Sequence, residues 1–256
     1  MMRPKKSLGQ NFLKSAPALR KIIEAGEIMP DDVILEIGPG KGALTTQLLA
    51  SSCQLIAVER DKNLYEMLKI KFQKEISSGQ LDLIHDDILN FDLSYKLKAI
   101  SYKLIANIPY NITGAILKKF LTADKQPEHM VLMVQQEVAQ RIVARGGKES
   151  ILSISVKAYG DPKIIMKVPR RYFSPAPEVD SAILSIKNIS RDFFLKDQVN
   201  EEYFWQIVRA GFAHKRKKLA GNLKNLYSFV LPERLKDKRA EELDLEDWSL
   251  LARQEK

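Results

Sequence analysis

The sequence contains one cysteine, Cys53. A single thiol excludes an intramolecular disulfide and a cysteine-based zinc cluster, and it suits a chain working in a reducing cytosol. That thiol is expected to pack against a sheet. Long apolar runs are missing, as is a lipidation signal, which argues against a membrane partner. Met1–Ser7 is basic but no apolar segment follows it, so no secretory leader is read. Internal repeats and low-complexity segments are lacking too. Acidic residues are absent from two long stretches. Met1 to Lys21 carries six basic residues and Trp205 to Asn225 again six, with no Asp or Glu in either. With 41 Lys and Arg against 32 Asp and Glu, the formal net charge is +9. Positive charge gathered into acid-free blocks points to a nucleic acid more than to a charged membrane surface.

What is present suffices for a sizeable core: 256 residues, 45% of them hydrophobic, allow one α/β domain and a smaller appendage. Residues 15–29 place Leu19, Ile22, Ile23 and Ile28 at the spacing of an amphipathic helix. Val33–Ile37 reads as a strand running into Gly38-Pro39-Gly40-Lys41-Gly42, with a helix over Ala43–Ala50. Leu55–Glu59 is a second strand and Asn63–Ile76 a second helix. Further strands are expected at Leu81–His85, Tyr102–Ala106 and His129–Gln135. Short apolar strands alternating with helices predict a doubly wound, mostly parallel α/β sheet. Lys163–Val168 and Ser181–Ile186 read as a strand pair joined through the proline-rich Phe173–Pro177. Beyond Asn188 the strand signals stop, and Tyr203–Ala213, Lys218–Tyr227, Pro232–Leu235 and Leu245–Ala252 read as helices. A boundary near residue 188 therefore divides an α/β domain, 1–188, from a small all-α domain, 189–256.

In an open parallel sheet, ligands bind beyond the carboxyl ends of the strands near the topological switch point. The distinctive residues fall at those ends: Gly38, Gly40 and Gly42 after the first strand, Glu59 after the second, Asp87 after the third and Asn107 after the fourth. Glycines let the backbone approach a ligand closely. Glu59, nineteen residues after Gly40, stands where an acid would accept both ribose hydroxyls, and Asp87 where one would accept from an adenine amine. A dinucleotide site wants G-x-G-x-x-G with free N–H groups for a pyrophosphate. Here the spacing is G-x-G-x-G, Pro39 removes one donor, and Asp61, Asp86 and Asp87 add negative charge. That favours a phosphate-free, cationic nucleoside, S-adenosylmethionine, over a dinucleotide.

Asn107-Ile108-Pro109-Tyr110 closes the fourth strand. The Asn amide accepts from and donates to an exocyclic amine. Ile108 precedes a proline and is held extended, Pro109 fixes its own φ, and Tyr110 offers a flat face for a base. Such a site suits a planar ring bearing an NH2 group. The plainer reading is a proline-punctuated turn with Asn107 capping the next helix. No His or Lys lies within Asn107–Ile112 to act as a base, so in-line transfer governed by positioning is expected.

Glu36–Gly42, Val58–Asp61, Asp87–Leu89 and Asn107–Ile112 together resemble the successive motifs of the ribosomal RNA adenine N6,N6-dimethyltransferases. Lys6–Leu13 resembles the family's amino-terminal motif, and Phe173–Ala182 its late motif. The resemblance covers most of residues 5–187. It implies a Rossmann-like class I methyltransferase with a seven-stranded sheet, and S-adenosyl-L-methionine as cofactor. It implies that Asn11 and Leu13 contact the methionine part, with Gly38 passing close beneath. It also implies that Glu59 holds the ribose, that Asp87 binds the adenine amine and that Ile88 adds a backbone contact. Asn107 would orient the target amine, with Ile108 or Pro109 supplying a carbonyl, and Tyr110 and Phe173 would sandwich the flipped adenine. No metal is assigned a role. On local sequence alone, Asn11 reads equally as a helix cap and Tyr110 also as a sheet-edge aromatic, while Phe173 reads better as a core plug.

Two branches of the family share this chemistry. One dimethylates two adjacent adenosines near the 3′ end of small-subunit (16S) rRNA, within a pre-assembled subunit. The other dimethylates large-subunit rRNA and confers macrolide resistance. Pro177–Ala182 and the basic tail Ala210–Leu219 resemble the first branch, which implies a cytoplasmic, monomeric maturation enzyme with an RNA-recognising carboxyl-terminal domain. A DNA adenine methyltransferase is the rival from another class, since Asn-Pro turns serve that chemistry too. An RNA-binding assembly factor with a vestigial pocket is the non-enzymatic rival.

Overall fold

The computed structural model describes residue 5 and residues 8–92, 101–196, 198–224 and 231–253. Lys6 and Ser7 of the amino-terminal motif, and residues 225–227 of the helix expected at 218–227, lie outside the described residues. By their contacts the residues form two compact units, 1–139 with 163–189 and 140–162 with 190–256. The division is thus not a single cut near 188. Residues 140–162 group with the carboxyl-terminal segment because backbone bonds tie them to it: Glu149 N–H donates to Glu241 O (2.8 Å) and Ser190 N–H to Tyr159 O (2.9 Å).

The first unit opens with a two-residue strand β1 (Phe12–Leu13) and helix α1 (Ala16–Gly26). Ser15 caps α1 by accepting from Ala18 N–H, and the helix ends where Glu27 turns left-handed at φ 45°. That stops it short of the expected residue 29. Strand β2 (Val33–Ile37) leads into α2 (Ala43–Leu49), and β3 (Gln54–Glu59) into α3 (Lys62–Lys71) and α4 (Gln73–Ser77). The single helix expected at 63–76 is divided at Phe72, whose backbone (φ −111°, ψ 30°) leaves helical geometry. The Phe72 ring packs so closely on Gly42 that a Cβ there would meet it at 2.6 Å. Strands β4 (Leu81–His85), β5 (Tyr102–Asn107) and β6 (His129–Gln135) follow, with α5 (Thr113–Leu121) between the last two. Helix α6 (Gln136–Ile142) follows at the end of this segment, and α7 (Ile151–Lys157), capped reciprocally by Ser150 and Ser153, belongs to the second unit. The first unit closes with β7 (Asp161–Val168), the short β8 (Phe173–Ser174) and β9 (Ser181–Lys187).

The main sheet has seven strands in the order β4-β3-β2-β5-β6-β9-β7. Strands β4 to β6 are parallel in that order and β9 joins β6 antiparallel. This is the Rossmann-like arrangement of the class I methyltransferases. Every residue of β2 is buried, as a strand covered by helices on both faces requires. The chain proceeds outward from β2 to β3 and β4, then returns to place β5 on the other side of β2. The carboxyl ends of β2 and β5 therefore flank the switch-point crevice. Cys53 is buried in the core and its thiol donates to Leu48 O (3.3 Å).

In the second unit, α8 (Asp192–Lys196), α9 (Glu201–Gly211), α10 (Leu219–Leu223) and α11 (Leu245–Ala252) are its carboxyl-terminal helices. Trp248 of α11 is fully buried and rests on Gly211, where a Cβ would meet the indole at 2.4 Å. Trp205 Nε1 donates to Tyr159 Oη (3.2 Å), which holds α9 on the 140–162 segment. Residues 213–218, with His214, Lys215, Arg216, Lys217 and Lys218, are exposed between α9 and α10.

Candidate active site

The parallel register aligns the carboxyl ends of four strands along one edge of the sheet. Ile37 pairs with Val58, Glu59 with His85 and Asn107 with Met133. Above that edge lies a cavity of about 310 Å³. Its walls include Asn11, Leu13, Gly38, Glu59, Asp87, Ile88, Asn107, Ile108, Pro109 and Tyr110. Ten of the eleven residues singled out from sequence thus meet in one place. Phe173 does not. Its ring is 4% exposed and lies in the core with Leu13, Val168 and Ile183. It stands next to the cavity wall, because β8 pairs with β1 and sets Phe173 opposite Leu13.

The glycine loop is shaped for close approach. Gly38 and Gly40 hold φ of +65° and +61°, which a side chain would strain. A Cβ on Gly38 would meet nothing within 4 Å, so the backbone there borders open space. Gly40 N–H donates to Glu59 Oε2 (3.0 Å) and Asp61 N–H to Glu59 Oε1 (2.7 Å). These bonds fix the carboxylate's orientation. Burial nonetheless raises the Glu59 pKa, and the two N–H groups only partly offset it. Asp87 accepts from Leu89 N–H (3.1 Å) and pairs with Arg60 (3.2 Å) at the cavity mouth.

Asn107 sits at the end of β5 with its amide committed on one side: Nδ2 donates to Asn11 O (3.2 Å). It does not cap α5, which begins six residues later after the tight turn Tyr110–Ile112. Nor does Asn11 cap α1, since its Nδ2 donates to Gly9 O (3.3 Å) and Ser15 holds the cap. The Tyr110 hydroxyl bonds to Ser181 Oγ (2.5 Å) at the start of β9. Burial raises the Tyr110 pKa, so the ring carries a neutral hydroxyl.

Glu36 also lines the cavity, and the sequence reading gave it no role. It is 1% exposed, and Thr45 Oγ1 on α2 donates to its Oε2 (2.8 Å). Burial pushes its pKa up to about 8. The signal was there: an acid inside the otherwise apolar Val33–Ile37 is costly unless something cationic meets it. The residues fit S-adenosylmethionine on this structure's own terms. Buried acids Glu36 and Glu59, an open backbone at Gly38 and the carboxylate Asp87 suit a cationic nucleoside.

Sheet order and site together define a Rossmann-like class I methyltransferase. Residues 1–247 match the sequence profile described as ribosomal RNA adenine dimethylase. The chain is 41% identical to ribosomal RNA small subunit methyltransferase A of Dehalococcoides mccartyi over 260 residues, covering 98% of this chain and 88% of that one. It belongs to the ribosomal RNA adenine dimethylase family. The fold is similar to a dimethyladenosine transferase from Plasmodium falciparum, with a TM-score of 0.79 and 26% identity over 94% of this chain and 96% of that one. The 23S rRNA methyltransferase ErmE shares the fold, with a TM-score of 0.78 and 24% identity over 95% of this chain and 98% of that one.

Proposed function

We propose that this protein transfers methyl groups from S-adenosyl-L-methionine to N6 of two adjacent adenosines near the 3′ end of small-subunit ribosomal RNA, in the course of small-subunit maturation. The observation that carries the reading is the opening of Asn107–Tyr110 onto the same cavity as Glu36, Glu59 and Asp87. Near-full-length similarity to small-subunit methyltransferases supports the choice of RNA. The substrate is the pre-assembled subunit, met by a monomer in the cytoplasm. The second unit contributes RNA recognition through the exposed basic residues 214–218.

S-adenosylmethionine supplies an electrophilic methyl on a sulfonium that leaves as a neutral thioether. The protein's part is to aim the amine. With Nδ2 of Asn107 engaged by Asn11, Oδ1 is the atom that accepts from the adenine N–H. The Pro109 carbonyl already accepts from Ile112 N–H (3.2 Å), which leaves that of Ile108 as the second acceptor. Two acceptors hold the amine with its lone pair turned out of the ring plane, where attack is in line. No base is needed, because the proton passes to water after transfer. The adenine must leave its stack to reach the cavity. Stacking on Tyr110, worth about 1–3 kcal/mol, offsets much of that cost. Phe173 as second wall must first turn out of the core, so its role is tested separately.

The deciding experiment incubates the protein and methyl donor with undermethylated small subunits and, separately, with unmodified large-subunit RNA and DNA. Digested products are scored for dimethyladenosine by mass spectrometry. Product on the small subunit alone is expected. Product on large-subunit RNA or on DNA would move the enzyme to the corresponding rival reading.

A further inference from the structure

Asp61 does not itself line the cavity, yet three donors from two parts of the chain converge on it. Lys5 Nζ reaches Oδ1 (3.0 Å), Gln10 Nε2 reaches Oδ2 (3.0 Å), and Asn63 N–H caps α3 through Oδ1 (3.0 Å). The residue is 4% exposed. Burial alone would raise its pKa, but the lysine, the glutamine and the backbone donor outweigh it and hold the carboxyl charged. Its own N–H meanwhile orients Glu59 (2.7 Å).

The segment that Asp61 holds is the strap formed by Lys5 and residues 8–13, which brings Asn11 and Leu13 to the cavity. The strap is fastened elsewhere by backbone and apolar contacts. Asn107 Nδ2 holds Asn11 O, the Phe12 ring lies where a Gly40 Cβ would meet it at 3.0 Å, and β1 pairs with β8. At the Glu59 end the grip is Asp61 alone among these residues. We infer that Asp61 is a positioning residue, a clasp that holds the strap closed over the cofactor and sets how long the cofactor stays bound. The inference rests on the proposed S-adenosylmethionine site. Each methyl transferred uses one cofactor molecule, so the strap must open between the first and second methylation of one adenine.

Asp61→Ser tests it, because serine still caps α3 but loses both side-chain donors of the strap. The measurements are stopped-flow displacement of S-adenosylhomocysteine, steady-state and single-turnover methyl transfer, and unfolding of the ligand-free protein. Dissociation about tenfold faster is expected from losing two side-chain hydrogen bonds, one of them charged. The loss should fall on KM for the methyl donor rather than on the single-turnover rate at saturating donor, with little change in the unfolding midpoint. Lys5→Ala/Gln10→Ala should produce a similar acceleration, and adding Asp61→Ser to it should add little. Dissociation within about twofold of wild type in a folded Asp61→Ser protein would overturn the clasp. Fully additive effects in the triple variant would overturn it as well. Wild-type protein that fails to bind S-adenosylhomocysteine would overturn the cofactor reading itself, a different result from either.

Discussion

Replacing Glu36 by glutamine should stabilise the ligand-free protein, and the gain should depend on pH. Glu36 is buried beneath the glycine loop and its pKa is pushed up from 4.5 to about 8. A folded-state value above the unfolded one means that the folded protein binds the proton more tightly. Below about pH 4.5 both states carry it and the acid costs nothing. As pH rises toward 8 the unfolded chain has released its proton while the folded one must keep it or bury a charge, so stability falls across that window. At pH 7 the cost is on the order of 3 kcal/mol. Glutamine keeps an oxygen for Thr45 and removes the ionisation. For a chain of this size the variant should unfold roughly 6–12 °C higher at pH 7 and nearly level with wild type at pH 4.5. A cationic ligand beside Glu36 favours the carboxylate, so binding should release more protons from wild type than from Glu36→Gln. Calorimetry in buffers of different ionisation heat reads that difference. A stability gap that does not vary between pH 5 and 8 would refute the assignment of the cost to Glu36.

Asn107→Ala should lower single-turnover methyl transfer by about two orders of magnitude. Cofactor affinity should weaken only about fivefold, the worth of its one bond to Asn11. Equal losses in both would deny it a part in the transfer step. Phe173→Ala should destabilise the fold by about 3–5 kcal/mol as a buried ring lost from the core. A rise in KM for RNA beyond what unfolding explains, measured at low temperature, would instead establish it as a wall of the base pocket. Replacing Lys215, Arg216 and Lys217 together by glutamine should weaken RNA binding and flatten its dependence on salt. An unchanged slope of log affinity against log salt would make that exposed run a merely solvated face.

Much of the molecule is legible from local chemistry. β2, β4 and β6 were readable because apolar runs bounded by turn residues specify buried strands whatever surrounds them. Glycines at positive φ and acids at strand ends announce a ligand on their own. The helix at Leu245–Ala252 was readable with the bounds it has, whereas the one at Ile151–Lys157 was not. α7 lies in a segment whose sequence carries no clear period, and its capping by Ser150 and Ser153 depends on atomic contacts. Three things waited for the tertiary structure, each because it joins residues far apart in the chain. Strand order decides that Gly38 and Asn107 flank one crevice. The β1–β8 pairing sets Phe173 beside Leu13 in the core, where local sequence favoured a core plug and the family resemblance a base-stacking ring. Packing decides that Glu36 is buried against Thr45 and that Asp61 grips Lys5 and Gln10. A sequence names the groups a protein has, but desolvation and pairing between distant segments set their charge, orientation and reach.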